Sequence, residues 1–281
     1  MKIAFIGGGN MATALIGGLV GRDTDPDSIH VVEPSALRRE TLREQFGVHT
    51  LESADPDVLA GAGLCLLAVK PQQMRAALDG LAQALSGALV VSIAAGIRSA
   101  DLSRWLGNHP RIVRAMPNTP ALISRGVTGL FALDAVTEAD RDLATRSLAG
   151  VGQVVWVDQE AALDTVTAVS GSGPAYVFLM MEAMQDGARE LGLDERQARQ
   201  LVLHTFAGAA ELALQSDDPV PLLRERVTSR GGTTAAALAV FEASPLRATF
   251  VDALRAARER SAELGDEFGQ DPPQEETATR N

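Results

Sequence analysis

A loop in the second half of the chain combines hydroxyl side chains with glycine, which suits it to holding a small anion. Residues 227–234 read Val-Thr-Ser-Arg-Gly-Gly-Thr-Thr and precede an alanine-rich stretch, 235–241, that predicts a helix. The first N–H groups of a helix have no partner within it and attract a carboxylate or a phosphate. Glycine lets such a ligand approach the backbone closely. This loop is therefore a candidate site for a small acid.

A second glycine-rich segment, near the start of the sequence, predicts a dinucleotide site. Gly7, Gly9 and Ala12 have the spacing G-x-G-x-x-A, which follows an apolar strand at 2–6 and opens a helix that extends to about Val20. In this motif the first glycine makes a tight turn, the second admits the pyrophosphate, and the third small residue lets helix and strand pack. A cofactor in one half and a small acid in the other indicate an enzyme.

The type of dinucleotide depends on residues at the end of the second predicted strand. Glu33 stands there, and an acid at this place usually binds the ribose 2′-hydroxyl and favours NAD. Arg38 and Arg39 follow one turn later and could hold a 2′-phosphate instead. The sequence therefore leaves both NAD and NADP open as cofactors.

Further cofactor contacts are predicted where other strands end, because ligands bind beyond the carboxyl ends of the strands in an open parallel sheet. Lys70, one of two lysines in the chain, closes the third long strand, and Ala95 follows the next one. Asn118 could bond the nicotinamide or form a local turn. The predicted cofactor-binding residues are Ile6, Gly7, Gly8, Gly9, Asn10, Met11, Glu33, Ser35, Ala68, Val69, Lys70, Pro71, Ala95 and Asn118.

The small numbers of histidine, cysteine and lysine residues exclude several kinds of site. The four histidines are far apart and Cys65 is the single cysteine, so neither a metal site nor an internal disulfide is predicted. No lysine follows Lys70, which excludes a lysine acid–base group in the second half. The remaining hydroxyl, N–H and carboxylate groups suit a substrate already activated for hydride addition, such as a protonated imine, because a ketone would need a strong proton donor.

The overall charge argues against some partners. The 281 residues include 25 basic and 36 acidic side chains, and the resulting net charge of −11 disfavours nucleic acid or an anionic membrane as a partner. The sequence shows neither a signal peptide nor an apolar run of about 20 residues. We therefore predict a cytoplasmic protein that acts on a small molecule.

The order of the apolar segments predicts an α/β fold. Strands alternate with helical segments as far as Val157, and several strands are apolar throughout, as in a parallel sheet buried on both faces. From Glu160 onward only helices are predicted. We expect a Rossmann-type dinucleotide-binding domain at 1–158, an all-α substrate and dimerisation domain at 159–268, and a disordered tail at 269–281.

One helix of the second domain is predicted to lie in a subunit interface. Residues 176–181, Tyr-Val-Phe-Leu-Met-Met, are apolar around the whole circumference of a helix, which predicts burial on every side. A small helical domain can bury such a helix against a second subunit, so the chain is expected to form a homodimer.

Taken together, these segments resemble the pyrroline-5-carboxylate reductase family. The matching stretches include 5–11, 68–71, 114–120, the run Ser-Gly-Ser-Gly-Pro-Ala-Tyr at 170–176, and the 229–234 loop, in the family's order. The resemblance implies reduction of 1-pyrroline-5-carboxylate to L-proline, the last step of proline biosynthesis, with NADPH or NADH. It also implies a Rossmann domain followed by a helical domain that interlocks in a homodimer, and dimers that assemble into a decamer.

The resemblance also implies roles for individual residues. The predicted substrate-binding residues are Glu160, Ser229, Gly231, Gly232, Thr233 and Thr234. Ser229 and the backbone of Gly232 and Thr233 should hold the substrate carboxylate. The Thr234 hydroxyl should bond the ring nitrogen and is the predicted catalytic group, while Glu160 corresponds to an acid that lines the substrate pocket.

Arg230 stands where the family usually has proline. Proline would fix this turn, whereas arginine loosens it or adds a charge near the anion. Two alternatives stay open at this point. The chain could reduce another cyclic imino acid, such as one with a six-membered ring, or it could bind a nicotinamide nucleotide without catalysis.

Overall fold

The apolar segments of the first half form the strands of one sheet. In the computed structural model, which describes residues 1–270, the strands are β1 (Ile3–Ile6), β2 (Ile29–Val32), β3 (His49–Leu51), β4 (Leu64–Leu67), β5 (Leu89–Ser92), β6 (Ile112–Met116), β7 (Gly126–Ala132) and β8 (Gly152–Trp156). The sequence does not predict β3, because its three residues form no apolar run. The other strands lie where apolar segments predict them, and the α/β class is confirmed.

The strand order in the sheet is β3-β2-β1-β4-β5-β6-β7-β8. From β1 to β3 the chain adds strands towards one edge, and from β4 onward it adds them towards the other edge, as in a doubly wound sheet. Neighbouring strands from β3 to β6 are parallel, whereas β7 runs antiparallel to β6 and β8 runs parallel to β7. The expectation of a parallel sheet therefore holds for six strands. The connection 117–125 between β6 and β7 is too short for the crossover that a parallel pair needs.

Both faces of the sheet are buried, which explains why its central strands are apolar throughout. Ile3 and Phe5 of β1 belong to one core cluster, and Ala4 and Ile6 belong to the cluster on the opposite face. Burial of a side chain such as Phe5 contributes roughly 1.5–3 kcal/mol. Cys65 in β4 is fully buried, and this burial raises the pKa of its thiol to about 12, so it is an inert core residue.

Helices form all of the regular structure after β8 in the part of the chain that is described. The α-helices of the described residues are α1 (Asn10–Val20), α2 (Ala36–Phe46), α3 (Pro56–Leu59), α4 (Pro71–Leu78), α5 (Ser99–Trp105), α6 (Glu138–Leu148), α7 (Ala162–Val166), α8 (Gly173–Glu190), α9 (Glu195–Leu214), α10 (Val220–Arg226), α11 (Thr233–Ala243) and α12 (Leu246–Phe268). None of these helices within residues 1–270 combines the length and the apolar character needed to cross a membrane.

The contacts between residues divide the chain into two units. Among the described residues, unit 1 comprises Met1–Ser172 together with 256–270, and unit 2 comprises Gly173–Arg255. This division differs from the domain boundary at 158/159 expected from the sequence. The difference arises because 159–172 and the C-terminal part of α12 pack on the sheet domain.

Specific contacts hold the end of α12 within unit 1. The Ser261 hydroxyl donates to Asp164 at 2.7 Å, and the Arg98 guanidinium pairs with Asp266 at 2.7 Å. Gly269, the first residue of the predicted tail, accepts a hydrogen bond from Arg104 at 3.0 Å. The remainder of that predicted tail, from position 271, lies outside the described residues.

Unit 2 exposes the helix that was expected to be buried on every side. No residue of α8 is buried, and the side chains of Phe178 and Leu179 are 63% and 64% exposed. A single chain therefore does not bury this helix. Its apolar surface remains available for the predicted interface with a second subunit.

Candidate active site

A cavity of about 960 Å³ in unit 1 lies where the strand order reverses, beyond the carboxyl ends of β1, β2 and β4. The predicted cofactor residues that line it are Gly7, Gly9, Asn10, Met11, Glu33, Ser35, Ala68, Val69 and Lys70. Most of the predicted cofactor set thus surrounds one space of a size suited to a dinucleotide fragment.

The cavity is also lined by residues that the sequence pattern did not predict as cofactor contacts. Gln72, Gln73, Ala76 and Ala77 of α4 line it together with the predicted residues. The sequence contains a signal for these residues. Pro71 follows the apolar run that ends at Lys70, and proline is common in the first turn of a helix, so a helix is expected to begin here. Side chains in the first two turns of that helix therefore face the same edge of the sheet.

Gly7 forms the tight turn that the fingerprint requires. Its φ of +103° is unfavourable for residues with a side chain, and a Cβ added here would lie 2.7 Å from the backbone carbonyl of Ala68. Gly9 differs, since its φ of −72° and ψ of −176° suit any residue. It is the N-cap residue that precedes α1, and it supplies no side-chain cap. The space over Gly9 and the first N–H groups of α1 form an anion cradle.

Glu33 fixes this turn from the neighbouring strand. Its carboxylate is buried and accepts hydrogen bonds from the backbone N–H of Gly8 at 3.0 Å and of Ser35 at 2.9 Å. Both carboxylate oxygens are therefore engaged with the protein backbone, which weakens the argument that Glu33 is present to bind a ribose hydroxyl.

The two arginines after β2 have different environments. Arg39 donates to the carbonyl oxygens of Glu33 at 2.9 Å and Pro34 at 2.7 Å, and it pairs with Glu52 at 3.2 Å. Arg38 lines the cavity, and its guanidinium has no hydrogen bond or ion pair within residues 1–270. Arg38 is therefore the arginine that can bind an anion in this cavity.

Four predicted cofactor residues lie elsewhere in unit 1, and their roles stay predictions. Ile6 is 1% exposed and forms part of the core, and Pro71 begins α4. Ala95 lies in the loop after β5. The Asn118 amide is engaged internally, since it accepts from the N–H of Val127 at 2.9 Å and donates to the carbonyl of Ser170 at 3.2 Å.

Gly8, the remaining member of the predicted set, lies beside the cavity. It lines an adjacent groove of about 250 Å³ together with Arg38. A Cβ at this position would lie 2.9 Å from the Leu42 side chain and 3.0 Å from that of Glu33. Gly8 therefore permits close packing of the turn against α2 and β2.

Glu160 lies within unit 1, and in the described residues its carboxylate accepts hydrogen bonds from two other residues of that unit. It accepts from the backbone N–H of Ser99 at 2.7 Å, from the Ser99 hydroxyl at 2.8 Å and from Arg114 at 2.8 Å. Burial raises the pKa of the Glu160 carboxyl, but these hydrogen bonds and the Arg114 charge lower it more, so the pKa lies below its usual value. The predicted role of Glu160 in the substrate pocket stays a prediction.

The hydroxyl-rich loop in unit 2 forms a tight turn followed by an uncapped helix. The N–H of Gly232 donates to the carbonyl of Ser229 at 3.1 Å, and Gly231 has a φ of +72°. Gly232 is the N-cap residue that precedes α11, and it supplies no side-chain cap. By contrast, α6 and α9 begin with capping boxes formed by Thr137 with Asp140 and by Asp194 with Gln197.

The turn geometry gives a direct prediction for Arg230. With Gly231 at positive φ in the third position, the turn is of the type that favours proline in its second position, which is where Arg230 stands. We expect Arg230→Pro to raise the free energy of unfolding by about 0.4–1 kcal/mol, because it restricts the unfolded chain. Thermal unfolding would measure this effect.

Arg230→Ala is the matched control, because it removes the same charge and does not fix φ. It should give no gain in stability. A lower melting temperature for the proline variant than for the alanine variant would show that the turn does not accept proline.

The groups that line the cavity in unit 1 and those of the hydroxyl-rich loop in unit 2 suit the binding and orientation of ligands. Within residues 1–270, no three His, Cys, Asp or Glu side chains are grouped so that they could hold a metal ion. The cavity offers a glycine cradle and the loop offers N–H and hydroxyl groups. Such sites can hold anions and orient a substrate that is already activated.

Two family models match the chain. The model described as pyrroline-5-carboxylate reductase dimerisation matches residues 160–264. The model described as NADP oxidoreductase coenzyme F420-dependent matches residues 2–96. The first match covers the helical half and the second covers the glycine fingerprint.

Curated relatives match almost the full length of the chain. The pyrroline-5-carboxylate reductase of Pseudomonas aeruginosa is 47% identical over 270 residues, which are 96% of this chain and 98% of that protein. The pyrroline-5-carboxylate reductase of Pasteurella multocida is 43% identical over 268 residues, with coverage of 94% and 97%.

Solved structures of similar proteins share the fold. A pyrroline-5-carboxylate reductase from Coxiella burnetii has a TM-score of 0.89 at 43% identity, covering 94% of this chain and 98% of that one. The pyrroline carboxylate reductase of Plasmodium falciparum with NADP bound has a TM-score of 0.81 at 29% identity, with the same coverage.

Proposed function

The chain belongs to the pyrroline-5-carboxylate reductase family, and from this premise we infer that it reduces 1-pyrroline-5-carboxylate to L-proline with NADPH in preference to NADH. Its nicotinamide nucleotide supplies the hydride when bound, and the chain's own groups hold and orient the reactants. The proposed binding of the substrate rests on the start of α11, where no side chain caps the first N–H groups of the helix. The cytoplasmic location predicted from the sequence belongs to the same proposal.

The glycine cradle supports the binding of a dinucleotide in the cavity of unit 1. Gly7 and Gly9 leave the backbone after β1 open where side chains would fill the space. The first N–H groups of α1 and the nearby Lys70 would compensate the negative charge of a pyrophosphate. The residues present therefore fit a nicotinamide dinucleotide.

The preference for NADPH rests on Arg38. Arg39 is engaged with two carbonyl oxygens and Glu52, and Glu33 is engaged with two backbone N–H groups. Arg38 lines the cavity beside Ser35, without an ion-pair partner in the described residues. A guanidinium forms strong charge-assisted hydrogen bonds with phosphate, so Arg38 is suited to a 2′-phosphate.

Arg38→Gln should raise the KM for NADPH by about 10- to 100-fold, because the loss of a hydrogen bond to a charged group has an effect of this size. The KM for NADH should change little, because NADH has no 2′-phosphate. Steady-state kinetics with both cofactors would measure the ratio.

Arg39→Gln is the control for this prediction, since it removes the neighbouring guanidinium that is already bonded to the protein. It should lower stability without altering the ratio of the two KM values. Equal loss of NADPH and NADH binding in Arg38→Gln would contradict the assignment of the 2′-phosphate to Arg38.

The substrate carboxylate is proposed to lie at the start of α11. The N–H groups of Thr233 and Thr234 belong to the first turn of this helix, where they have no helical partner, and Ser229 lies in the preceding turn. The helix dipole favours an anion there. Thr234 is proposed to orient the ring nitrogen through its hydroxyl, while Gly231 and Gly232 keep the backbone accessible.

An assay of nucleotide oxidation with 1-pyrroline-5-carboxylate tests the proposal directly. We expect oxidation of NADPH with formation of proline, and a lower kcat/KM with NADH. A six-membered cyclic imino acid, run in parallel, should be a poorer substrate. No turnover of either ring by protein that still binds NADPH would contradict the proposed reaction.

The family match to a dimerisation domain supports an oligomer, and we propose a homodimer that assembles into a decamer. Unit 2 has an apolar surface that a second subunit could cover. Its exposed side chains include Phe178, Leu179, Met184, Val240, Phe241 and Val251.

A further inference from the structure

We propose that Glu160 is a positioning residue that fixes the loop at 93–98, which contacts the nicotinamide side of the cofactor, and that it does not bind the substrate. This inference rests on the proposed function, because the cofactor contact of Ala95 is part of that proposal.

The loop lies next to the cofactor cavity along the carboxyl edge of the sheet. Four of the strands that end at this edge follow each other in the order β2, β1, β4 and β5, and the loop comes directly after β5. Three strand spacings, about 14 Å, separate β2 from β5. Since Ser35 and Arg38 after β2 suit the adenosine end, the loop after β5 is placed for the nicotinamide end.

Glu160 fixes the downstream end of this loop. Ser99 is the first residue of α5, and both its N–H and its hydroxyl donate to the Glu160 carboxylate, at 2.7 and 2.8 Å. Arg114 of β6 donates to the same carboxylate at 2.8 Å, and its side chain is 10% exposed. Glu160 therefore ties the start of α5 to the sheet while it neutralises a buried guanidinium.

The C-terminal part of α12 holds the middle of the loop. Gly96 has a φ of +75°, and a Cβ there would lie 3.1 Å from the side chains of both Leu264 and Phe268. Arg98 pairs with Asp266 of the same helix at 2.7 Å. With α12 against Gly96 and Glu160 at Ser99, the loop has little freedom to move away from the cofactor.

Removal of the Glu160 carboxylate should release one of these two restraints. The buried Arg114 would lose its ion-pair partner, and a buried charge without a partner draws water or moves towards solvent. The start of α5 would lose its acceptor at the same time. The loop would then lose its fixed position, although the glycine cradle and Arg38 would be unaffected.

The test compares the whole cofactor with a fragment that lacks the nicotinamide. In Glu160→Ala, calorimetry should show a Kd for NADPH that is raised at least about 10-fold, which corresponds to about 1.4 kcal/mol. The Kd for 2′,5′-ADP should stay within about twofold of the wild-type value. The kcat should fall by about 10- to 100-fold, since small misplacement of reacting groups is costly. Glu160→Gln, which keeps an acceptor for Ser99, should show a smaller change.

Asp140→Ala is the matched structural control. Asp140 is also a buried carboxylate paired with an arginine, Arg111, at 2.5 Å, and it caps α6 through Thr137. Arg111 precedes β6 and therefore lies at the opposite edge of the sheet from the cavity. This variant should lose stability without a selective loss of NADPH relative to 2′,5′-ADP.

Ser99→Ala is a milder variant in case Glu160→Ala does not fold, because it removes the hydroxyl and retains the N–H and the Arg114 pair. It should shift the NADPH Kd in the same direction by a smaller factor. An unchanged ratio of the two Kd values in folded Glu160 and Ser99 variants would overturn the positioning role.

Two further outcomes are decisive. A rise only in the KM for 1-pyrroline-5-carboxylate would assign Glu160 to the substrate and overturn the inference. Wild-type protein that binds NADPH without turnover would contradict the proposed reaction, and the ratio of the two Kd values, which needs no turnover, would still decide the role of Glu160.

Discussion

Gly9→Val is expected to weaken NADPH binding by at least about 100-fold, or about 2.7 kcal/mol, while the protein stays folded. The backbone of Gly9 adopts angles that any residue can adopt, and a Cβ there would have its nearest neighbour, an Arg38 nitrogen, at 3.5 Å. Valine therefore fits the apo protein and fills the space that the pyrophosphate needs. Calorimetry with NADPH and thermal unfolding would measure the two effects separately.

Two other glycines provide the comparison. Gly7→Ala should lose both stability and binding, because its Cβ would collide with the Ala68 backbone at a positive φ. Gly87→Val should affect neither, since no atom lies within 4 Å of the Cβ position. The change at Gly9 itself should cost about 1 kcal/mol of stability or less, the usual range for a helix N-cap. NADPH binding at wild-type strength by Gly9→Val would place the pyrophosphate elsewhere.

Thr234→Val is expected to lower kcat by about 100-fold, in the range found when one hydrogen bond to a reacting group is removed. Valine has nearly the same shape as threonine, and Thr234 is the second residue of α11, so the helix and the turn before it should remain intact. The KM for NADPH should not change. Steady-state kinetics with both substrates varied would show whether the loss lies in turnover.

The controls for Thr234 separate the hydroxyl from the rest of the side chain. Thr234→Ser keeps a hydroxyl and should retain most of the turnover. Thr205→Val removes a hydroxyl that donates to the Leu201 carbonyl within α9, and it should leave kcat unchanged. Full turnover by Thr234→Val would mean that another group orients the ring nitrogen.

Short-range features of the chain could be predicted because they depend on residues that are close in sequence. The strand, turn and helix at 3–20 follow from an apolar run and from glycines at fixed spacing, and the structure confirms them. The turn before α11 also follows from local preferences, since Gly231 takes the positive φ that glycine allows. The fold class and most of the cavity lining were accessible in this way.

Only the tertiary structure decided which charged groups are engaged and which are available. Arg38 and Arg39 are neighbours in sequence, yet only Arg39 meets carbonyl oxygens and Glu52. Glu160 meets Ser99 across 61 positions of the chain and Arg114 across 46. No local pattern encodes such pairs.

The same limit applies to the direction of β7 and to the exposure of α8. Local sequence sets backbone dihedral preferences and apolar periodicity, and these predict elements and turns. Which elements become neighbours depends on the chain connections and on burial summed over the whole sheet. The sequence by itself therefore determined the family, the fold class and the glycine-rich loops, whereas the packed sheet decided the partners of Glu33, Arg39 and Glu160.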